Sequence, residues 1–568
     1  MGGIDSTGKV VEADVLVVGG GLAGLWAATK AREYVDMVTI IDKGPKDWGG
    51  QCSHASGGII ATIPQDNVAE SIKDLVYYYD GLCDQDLWGE IFGQSYDRIQ
   101  DYLEMGYEFI TEPDGRLKGI PQRSLEHIKC YLGKPFGMGG KNMVGVLLNK
   151  AQRLGVERFG RIMVTNLVKQ DGRVIGATGF DTITGEFYIF KAHAVLLAVG
   201  NGGWKASYHL NTCAGDSVYL GLAAGAEATQ CEFASVWNVP KLFSWEGQTY
   251  LLPLGARFVN AKGESFMDKY SPVFGANTDT HYITRAMAVE AREGRAPFYL
   301  DCTKMKPEDR ELLTPKGKGW MRLNYLKLED MGIHFFEEKS EWMPQMWRSA
   351  AGLAADLSGG TSVPGLFAAG RACGLDPTVY MGGLSLCLCS ATGNTAGETA
   401  GRFAASAKST VMDEELVNEQ KRDLYRPVQK NGTMPKEVLR EIQKAVFPCD
   451  VSILKNEAGL KRAAARLEVI KTELVPQMAA PDAHYLMKLM EVRSILLMSE
   501  LYVRASLLRK ESRAGHYRED YPGRDAAHWL GRLLAGQDAD GIAFRVDPLP
   551  IDRYAIKPTR YYSDNFRF

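Results

Sequence analysis

The run Asp14 to Asp42, DVLVVGGGLAGLWAATKAREYVDMVTIID, limits the choice of fold more than any other stretch of the chain. Val15 to Val18 is an apolar run short enough for a buried strand. Gly19-x-Gly21-x-x-Gly24 follows it, and an apolar-periodic segment then reads as a helix. A second apolar strand, Met37 to Ile41, ends in Asp42. This order predicts a βαβ crossover in a parallel sheet. The first glycine permits a tight turn, the second lets backbone approach a pyrophosphate, and the third lets helix and strand pack closely. Phosphates would sit on the helix N-terminus, where free N–H groups and the dipole favour negative charge. Asp42 is placed to accept from ribose hydroxyls. Alone, the fingerprint predicts a bound dinucleotide, NAD or FAD alike.

At 568 residues the chain is too long for one core, and a prior of about 150 residues per domain suggests roughly three or four units. Net charge is −3 and there is no basic run, which argues against nucleic acid or an anionic membrane as partner. No apolar stretch reaches about 18 residues, so no spanning helix is expected. The start, MGGIDSTGKVVEAD, lacks the basic-then-apolar pattern of a secretory signal, and a cytoplasmic location is expected. The ten cysteines are scattered without a C-x-x-C, the nearest pair being Cys387-x-Cys389. No metal site, iron–sulfur or zinc, is expected within the chain, and the thiols read as reduced and mostly buried.

After Asp42-Lys43 the loop GPKDWGGQCSHASGGIIATIP is rich in glycine and can lie flat against a planar ring system. Residues 66 to 155 read as helices with acidic and apolar faces. From Arg161 the pattern turns to a β-meander, RIMVTNLVKQ, RVIGATGFD and EFYIFKA, closed by a separate buried strand, AVLLAVG, ending at Gly200. Residues 205–350, rich in tryptophan, read as an inserted α+β capping domain that excludes water from the reaction. The first domain resumes at VPGLFAAG, so it spans 1–204 and 351–411. Residues 412–530 read as a helical domain and 531–568 as an extended tail. The predicted class is α/β, a Rossmann-like dinucleotide-binding domain with an inserted cap and a C-terminal helical domain.

The pieces VVGGGLAGLWAA, SHASGGI, GLCDQDL, AVLLAVGNGG, GDSVYLGLAAGAEA, VNAKGESFMDKY, AREGRAPFYLD, VPGLFAAG, MGGLSL and KESRAGHYREDYP cover nearly the whole chain. In content and order they resemble the flavoprotein subunits of succinate dehydrogenase, fumarate reductase, L-aspartate oxidase and dissimilatory adenylylsulfate reductase. FVNAKGES, YLGLAAGAEATQCEF and RKESRAGHYREDYP look most like the alpha subunit of adenylylsulfate reductase. The resemblance implies FAD. Gly19, Gly21 and Gly24 would meet the pyrophosphate, with Asp42 at the adenosine ribose, and Leu22, Ala23 and Lys43 belong to the same implied cofactor site. Gly50, Gln51 and Cys52 belong to the implied cofactor set, and Ser53, His54, Ser56, Gly57 and Gly58 would border the isoalloxazine. So would Gly383, Leu384, Ser385 and Leu386. Ala198, Gly200, Asp216, Gly370 and Arg371 complete the implied cofactor set. The resemblance also implies electron exchange with a small, separate ferredoxin-like iron–sulfur subunit.

Three departures from the family pattern stand out. Members with covalent flavin carry a histidine six residues before the paired glycines of the ring loop. Counting back from Gly57 gives Gln51, with His54 three residues too late, so non-covalent FAD is expected. Arg371 stands where relatives carry an acid after the A-x-G strand, and it cannot accept a ribitol hydroxyl as an acid does. Members acting on C4 dicarboxylates hold substrate with two histidines and an arginine and use another arginine as proton donor. Those positions align with Trp237, Trp347, Tyr380 and Thr280. A dicarboxylate left unpaired in a dry site costs several kcal/mol, which argues against succinate or fumarate.

The candidate catalytic set is therefore Trp237 and Trp347 as aromatic walls, His281 or Tyr380 moving the proton, and Arg348 holding an anionic group. The expected function is flavin-dependent oxidation or reduction of an apolar, aromatic or nucleotide-like small molecule. Adenylylsulfate reduction, fumarate reduction and a non-catalytic flavin-binding scaffold are the alternatives.

Overall fold

The computed structural model describes the chain except residues 1–6, 135–138, 207–212, 243–250, 312–313, 315–321, 376–380, 409–410, 429–430 and 540, together with the side chains of 322–324. β1 (Lys9–Val18) is the apolar run before the fingerprint. The helix Leu22–Ala31 returns the chain to β2 (Val38–Ile41), parallel to β1 with Val15 opposite Val38. Leu22 through Thr29 are all buried, because the sheet covers one face of this helix and the small-residue helix Leu384–Ser406 another. Gly397 makes that approach possible. A Cβ there would come 2.4 Å from the Ala27 carbonyl oxygen.

β3 (Gly58–Ile60), β4 (Gly119–Pro121) and β5 (Lys129–Leu132) form a small antiparallel sheet in the order β3-β5-β4. The segment 66–155, read as helical, therefore carries two strands. Both are too short to display an alternation that sequence periodicity can detect.

β6 (Glu157–Phe159) extends the nucleotide sheet beside β2, and β7 (Ile162–Gln170), β8 (Arg173–Asp181) and β9 (Phe187–Leu197) form the meander. One expectation changes here: EFYIFKA and AVLLAVG share one continuous strand. β1 runs along the length of β9 on one side. On the other side β8 pairs with residues 187–191 and the strand Leu366–Ala368 (β16) with residues 195–197. A single strand serves both the meander and the parallel sheet because β8 leaves it where β16 arrives. The result is a seven-stranded sheet, β6-β2-β1-β9-β8-β7 with β16 also on β9.

β10 (Ala228–Thr229) precedes the cap proper. The cap sheet has the order β11-β14-β13-β12, from β11 (Ala234–Pro240), β12 (Arg257–Val259), β13 (Phe298–Asp301) and β14 (Ser340–Ser349), with the helix Thr280–Arg292 against it. The helix Asp216–Ala224, placed in the cap by sequence, packs instead on β7 beside the cofactor cavity.

The tail also differs from its expected extended form. β17 (Gly531–Asp538) and β18 (Gly541–Pro548) form a hairpin that joins β10 and β15 (Gly352–Leu353) in a second four-stranded sheet. The helical part ends in the long helix Ala483–Leu508, and the charged run after it is interior. Arg509, Glu511, Arg513 and Arg518 are at most 2% exposed. Arg509 pairs with Glu232 at 2.7 Å and with Glu511 at 2.8 Å. Among the described residues no helix is long and apolar enough to cross a membrane.

Candidate active site

The fingerprint opens a long cavity. Gly19 has φ +110°, and a Cβ there would lie 2.5 Å from the Ala198 carbonyl oxygen. A Cβ on Gly24 would lie 1.9 Å from Gly19 O. Both positions are closed to larger residues, Gly19 by the neighbouring chain at Ala198 and Gly24 by the turn itself. Gly21 is different: its nearest prospective neighbour is 4.0 Å away, and the space beside it belongs to the cavity. Gly21 caps the helix Leu22–Ala31 without a side-chain acceptor, so the first-turn N–H groups are left for an anion.

Asp42 Oδ2 accepts from Gly20 N–H at 2.7 Å and Oδ1 from Gly44 N–H at 2.6 Å. Each oxygen keeps a lone pair at the cavity wall. Asp216 shows more directly what is bound. Its Oδ2 meets Lys43 Nζ at 2.8 Å, whereas Oδ1 is buried at the same cavity with no hydrogen-bond partner. A buried carboxylate oxygen without a donor is costly, and a ribose or ribityl hydroxyl supplies that donor. The glycine cradle, the uncapped helix and Asp216 Oδ1 together fit FAD.

Lys43 is not free to reach a phosphate. Its ammonium is held between Asp216 and Glu491, at 2.8 and 2.9 Å, and these carboxylates raise its pKa although burial opposes them. Gln51 lies in the cavity wall on a short 3₁₀ turn, Gly50–His54. Gly50, Cys52, Ser56 and Gly58 line the cavity beside it. Ser53 turns back to the Trp48 carbonyl, and the exposed His54 accepts from Trp48 Nε1–H at 3.3 Å. Gly57 shapes the loop from behind, where a Cβ would meet Gly139 at 2.4 Å.

At the other end, Gly383 (φ +88°) begins the helix Leu384–Ser406, again with no side-chain cap. Gly383, Ser385 and Leu386 line the cavity and Leu384 packs in the core. Leu22, Ala23, Ala198, Gly200 and Arg371 also line it. Gly370 supports it from outside, where a Cβ would lie 2.6 Å from that of Ala23. Sequence reasoning missed Trp48, Cys213, Cys389 and the β7 residues Ile162 to Val164, all in the wall. Trp48 stands beside Gly49 and Gly50 in the glycine-rich loop, and the others belong to no glycine motif or charge pattern. Burial raises the Cys389 thiol to about 11 against the opposing effect of Arg371 and Arg348, so it stays protonated at neutral pH.

Trp347 and Arg348 line the same cavity from β14. Trp237 on β11 packs edge-on against Trp347, with ring centroids 4.6 Å apart and an interplanar angle of 81°. The Arg348 guanidinium stands 4.7 Å from the Trp347 ring centroid, and its Nε donates to Ser235 Oγ at 3.4 Å. Tyr380 lies outside the described residues. His281 is not in the cavity wall. It is buried on the helix Thr280–Arg292, 3.2 Å from Arg285 Nη2, and burial, then Arg285 and Lys455, hold its pKa well below the usual imidazole value. Among the described residues no group of His, Cys, Asp and Glu is arranged to hold a metal.

Comparison with known proteins agrees with this geometry. Residues 14–386 match the family model described as an FAD binding domain, and residues 440–562 match the fumarate reductase flavoprotein C-terminal model. The chain is 27% identical to a fumarate reductase (CoM/CoB) subunit of Methanothermobacter marburgensis, over 90% of this chain and 95% of that one. It is 26% identical to a fumarate reductase flavoprotein subunit of Mycobacterium tuberculosis, over 95% and 97%. Among solved structures, a variant of the E. coli quinol fumarate reductase flavoprotein superposes with a TM-score of 0.86 at 21% identity, covering 97% of this chain and 99% of that one. Adenosine-5-phosphosulfate reductase in complex with sulfite gives 0.80 at 21%, over 96% and 97%. The expected leaning toward adenylylsulfate reductase thus has a likeness of fold behind it, whereas the sequence relatives named here are fumarate reductase subunits. The chain belongs to the FAD-binding family of the fumarate reductase flavoproteins and is an FAD-dependent oxidoreductase.

Proposed function

We propose that this chain is the catalytic flavoprotein subunit of a redox complex. It exchanges electrons between an apolar, aromatic or nucleotide-like small molecule and a separate, small ferredoxin-like iron–sulfur subunit. The observation that carries the substrate class is the Trp237–Trp347 pair, at 4.6 Å, in positions where dicarboxylate enzymes of the family place histidines. When bound, FAD supplies electron or hydride exchange at N5. The protein binds, orients and keeps out water. Trp347 offers an apolar ring in the wall, with Trp237 packed nearly at right angles to it and the Arg348 guanidinium over the ring.

The relatives named above are subunits by description, which supports a partner for this chain. Non-covalent attachment is supported by Gln51 in the cavity wall and by the exposed His54 outside it. Of the two proton-carrying residues expected, His281 stands behind the wall and is held neutral, which favours Tyr380 as the donor.

Anaerobic titration of the FAD-loaded protein with candidate reductants tests the reading. A substrate of this class is expected to bleach the flavin, and Trp347→Ala is expected to lose that bleaching while dithionite still reduces the cofactor. Acid precipitation is expected to release the flavin into the supernatant. A flavin that no such compound reduces or reoxidises at a catalytic rate points to the scaffold alternative. The names of the sequence relatives favour fumarate as a second reading, and turnover of fumarate by a reduced dye decides for it. The likeness to the sulfite complex favours adenylylsulfate, for which bleaching must depend on AMP and sulfite together.

A further inference from the structure

Beyond Met381 lies a second cavity of about 290 Å3. Met381 is in the wall of both chambers. The small sheet divides them, with Gly58 of β3 in the wall of the cofactor cavity and Cys130 and Leu132 of β5 in the wall of the second. A Cβ on Gly58 would meet Cys130 Sγ at 2.7 Å, and one on Gly383 would meet it at 2.8 Å. Glycine at both positions keeps the partition about one backbone thick, so a molecule in the second chamber lies against the strands that carry the ring loop.

The walls of this chamber are mostly apolar, with Ile120, Pro121, Leu125, Leu132 and Met381 among them. Among the described residues Arg123 is the one cation in the lining. Its guanidinium donates a single hydrogen bond among them, from Nη1 to the Thr278 carbonyl at 2.9 Å, and no carboxylate of the described residues lies at ion-pair distance from it. The one acid present, Asp279, is occupied. Oδ1 accepts from His281 N–H at 2.7 Å as the helix cap and Oδ2 from the Tyr78 hydroxyl at 2.7 Å, at the positive end of the helix Thr280–Arg292.

We propose that Arg123 is the anion-holding residue of the substrate site, and that the substrate is an organic monocarboxylate. Its carboxylate lies on the Arg123 guanidinium, and its apolar body runs along Leu125, Leu132 and Met381 toward the cofactor. This rests on the reading that substrate reacts at the ring end of the flavin. A planar guanidinium with unused donors suits a carboxylate bidentately. Among the described residues a second carboxylate finds no second cation in the lining and faces Asp279, which favours one negative charge over two.

The test uses the FAD-loaded full-length protein and three probes, trans-cinnamate, its neutral analogue trans-cinnamamide, and succinate, followed by perturbation of the flavin absorbance. Cinnamate is expected to bind at least about tenfold more tightly than cinnamamide or succinate. Arg123→Gln is expected to abolish the preference over the amide and Arg123→Lys to keep part of it, both with unchanged flavin content. Equal binding of acid and amide, no perturbation by any probe, or a preference that survives in Arg123→Gln overturns the proposal. In each of those cases reduction of the flavin by other compounds stands unaffected, whereas absence of bound flavin would overturn the proposed function itself.

Discussion

Lys43 and Glu491 meet at 2.9 Å, although one follows the fingerprint acid and the other lies on the long helix of the C-terminal domain. Lys205 reaches the same Glu491 oxygen at 3.0 Å, and Lys43 also holds Asp216, whose other oxygen faces the cofactor cavity. The helical domain is thereby wired to the cofactor site through two ion pairs.

Glu491→Gln is expected to weaken FAD binding about tenfold and to destabilise the protein by about 1–3 kcal/mol, since it strips two partly buried lysines of a shared carboxylate while Lys43 keeps Asp216. Fluorescence titration with FAD and thermal unfolding with and without it measure both effects. The pH dependence has a definite sign. Lys43 and Lys205 hold the Glu491 carboxyl well below its ordinary value against burial. Its contribution is therefore complete above the unfolded pKa of about 4.3 and is lost as pH falls through the folded value. Unchanged FAD affinity in a destabilised variant would make the link structural only.

Gly21 and Gly24 are expected to fail differently. Gly24→Ala places a Cβ 1.9 Å from Gly19 O and must break the turn, so the apoprotein itself loses several kcal/mol. Gly21 has φ −76° and no neighbour inside 4.0 Å, so Gly21→Ala leaves apoprotein stability within about 0.5 kcal/mol of wild type. It removes FAD binding by filling the ligand's space. Calorimetry of the two apoproteins separates the cases, and equal stability losses would contradict this account.

Legibility in the sequence followed the reach of each physical signal. The fingerprint, the ring loop and the Gly383 helix start were readable because turns and close backbone approach demand glycine whatever surrounds them. Trp237 and Trp347 come from strands more than 100 residues apart in the chain, and only alignment with relatives suggested that they meet. Arg123 left no trace, since a single arginine in a loop between two very short strands carries no period. The run RKESRAGHYRED is legible only as alternating charge, and its Arg509, Glu511, Arg513 and Arg518 are buried because partners such as Glu232 and Asp80 are supplied by distant segments. The C-terminal hairpin was a readable signal left unused. Asp540-Gly541 sits between two apolar runs, the pattern that marks a tight turn.

FAD binding is expected to quench tryptophan fluorescence, and Trp347 is expected to carry a large share of that quenching because it is in the cavity wall. Trp347→Phe should retain the fold and flavin content while reducing the quench on FAD addition. Trp347→Ala should cost about 3–5 kcal/mol, because it opens a hole against Trp237. The same quench amplitude in Trp347→Phe as in wild type would place Trp347 away from the flavin.

Two histidines make the protein sensitive to mild acid. His281 and His516 are both buried. Burial first, then Arg285 and Lys455 for His281 and Lys455 and Arg509 for His516, hold each imidazole well below its usual value. Below the unfolded pKa of about 6.5 the unfolded chain binds protons that the folded chain refuses, so stability rises with pH in that window and is lost as pH falls through it. Each histidine contributes up to about 1.4 kcal/mol per pH unit there. The unfolding midpoint is expected to drop steeply between about pH 7 and pH 5, well above the range where carboxylates such as Glu290, held at about 2, titrate. His281→Gln should flatten the slope by about half, and it should leave no trace of a lost imidazole in the pH profile of flavin reduction, because His281 stands behind the cavity wall. A profile that loses an ionisation near neutrality in this variant would return His281 to the role of proton carrier.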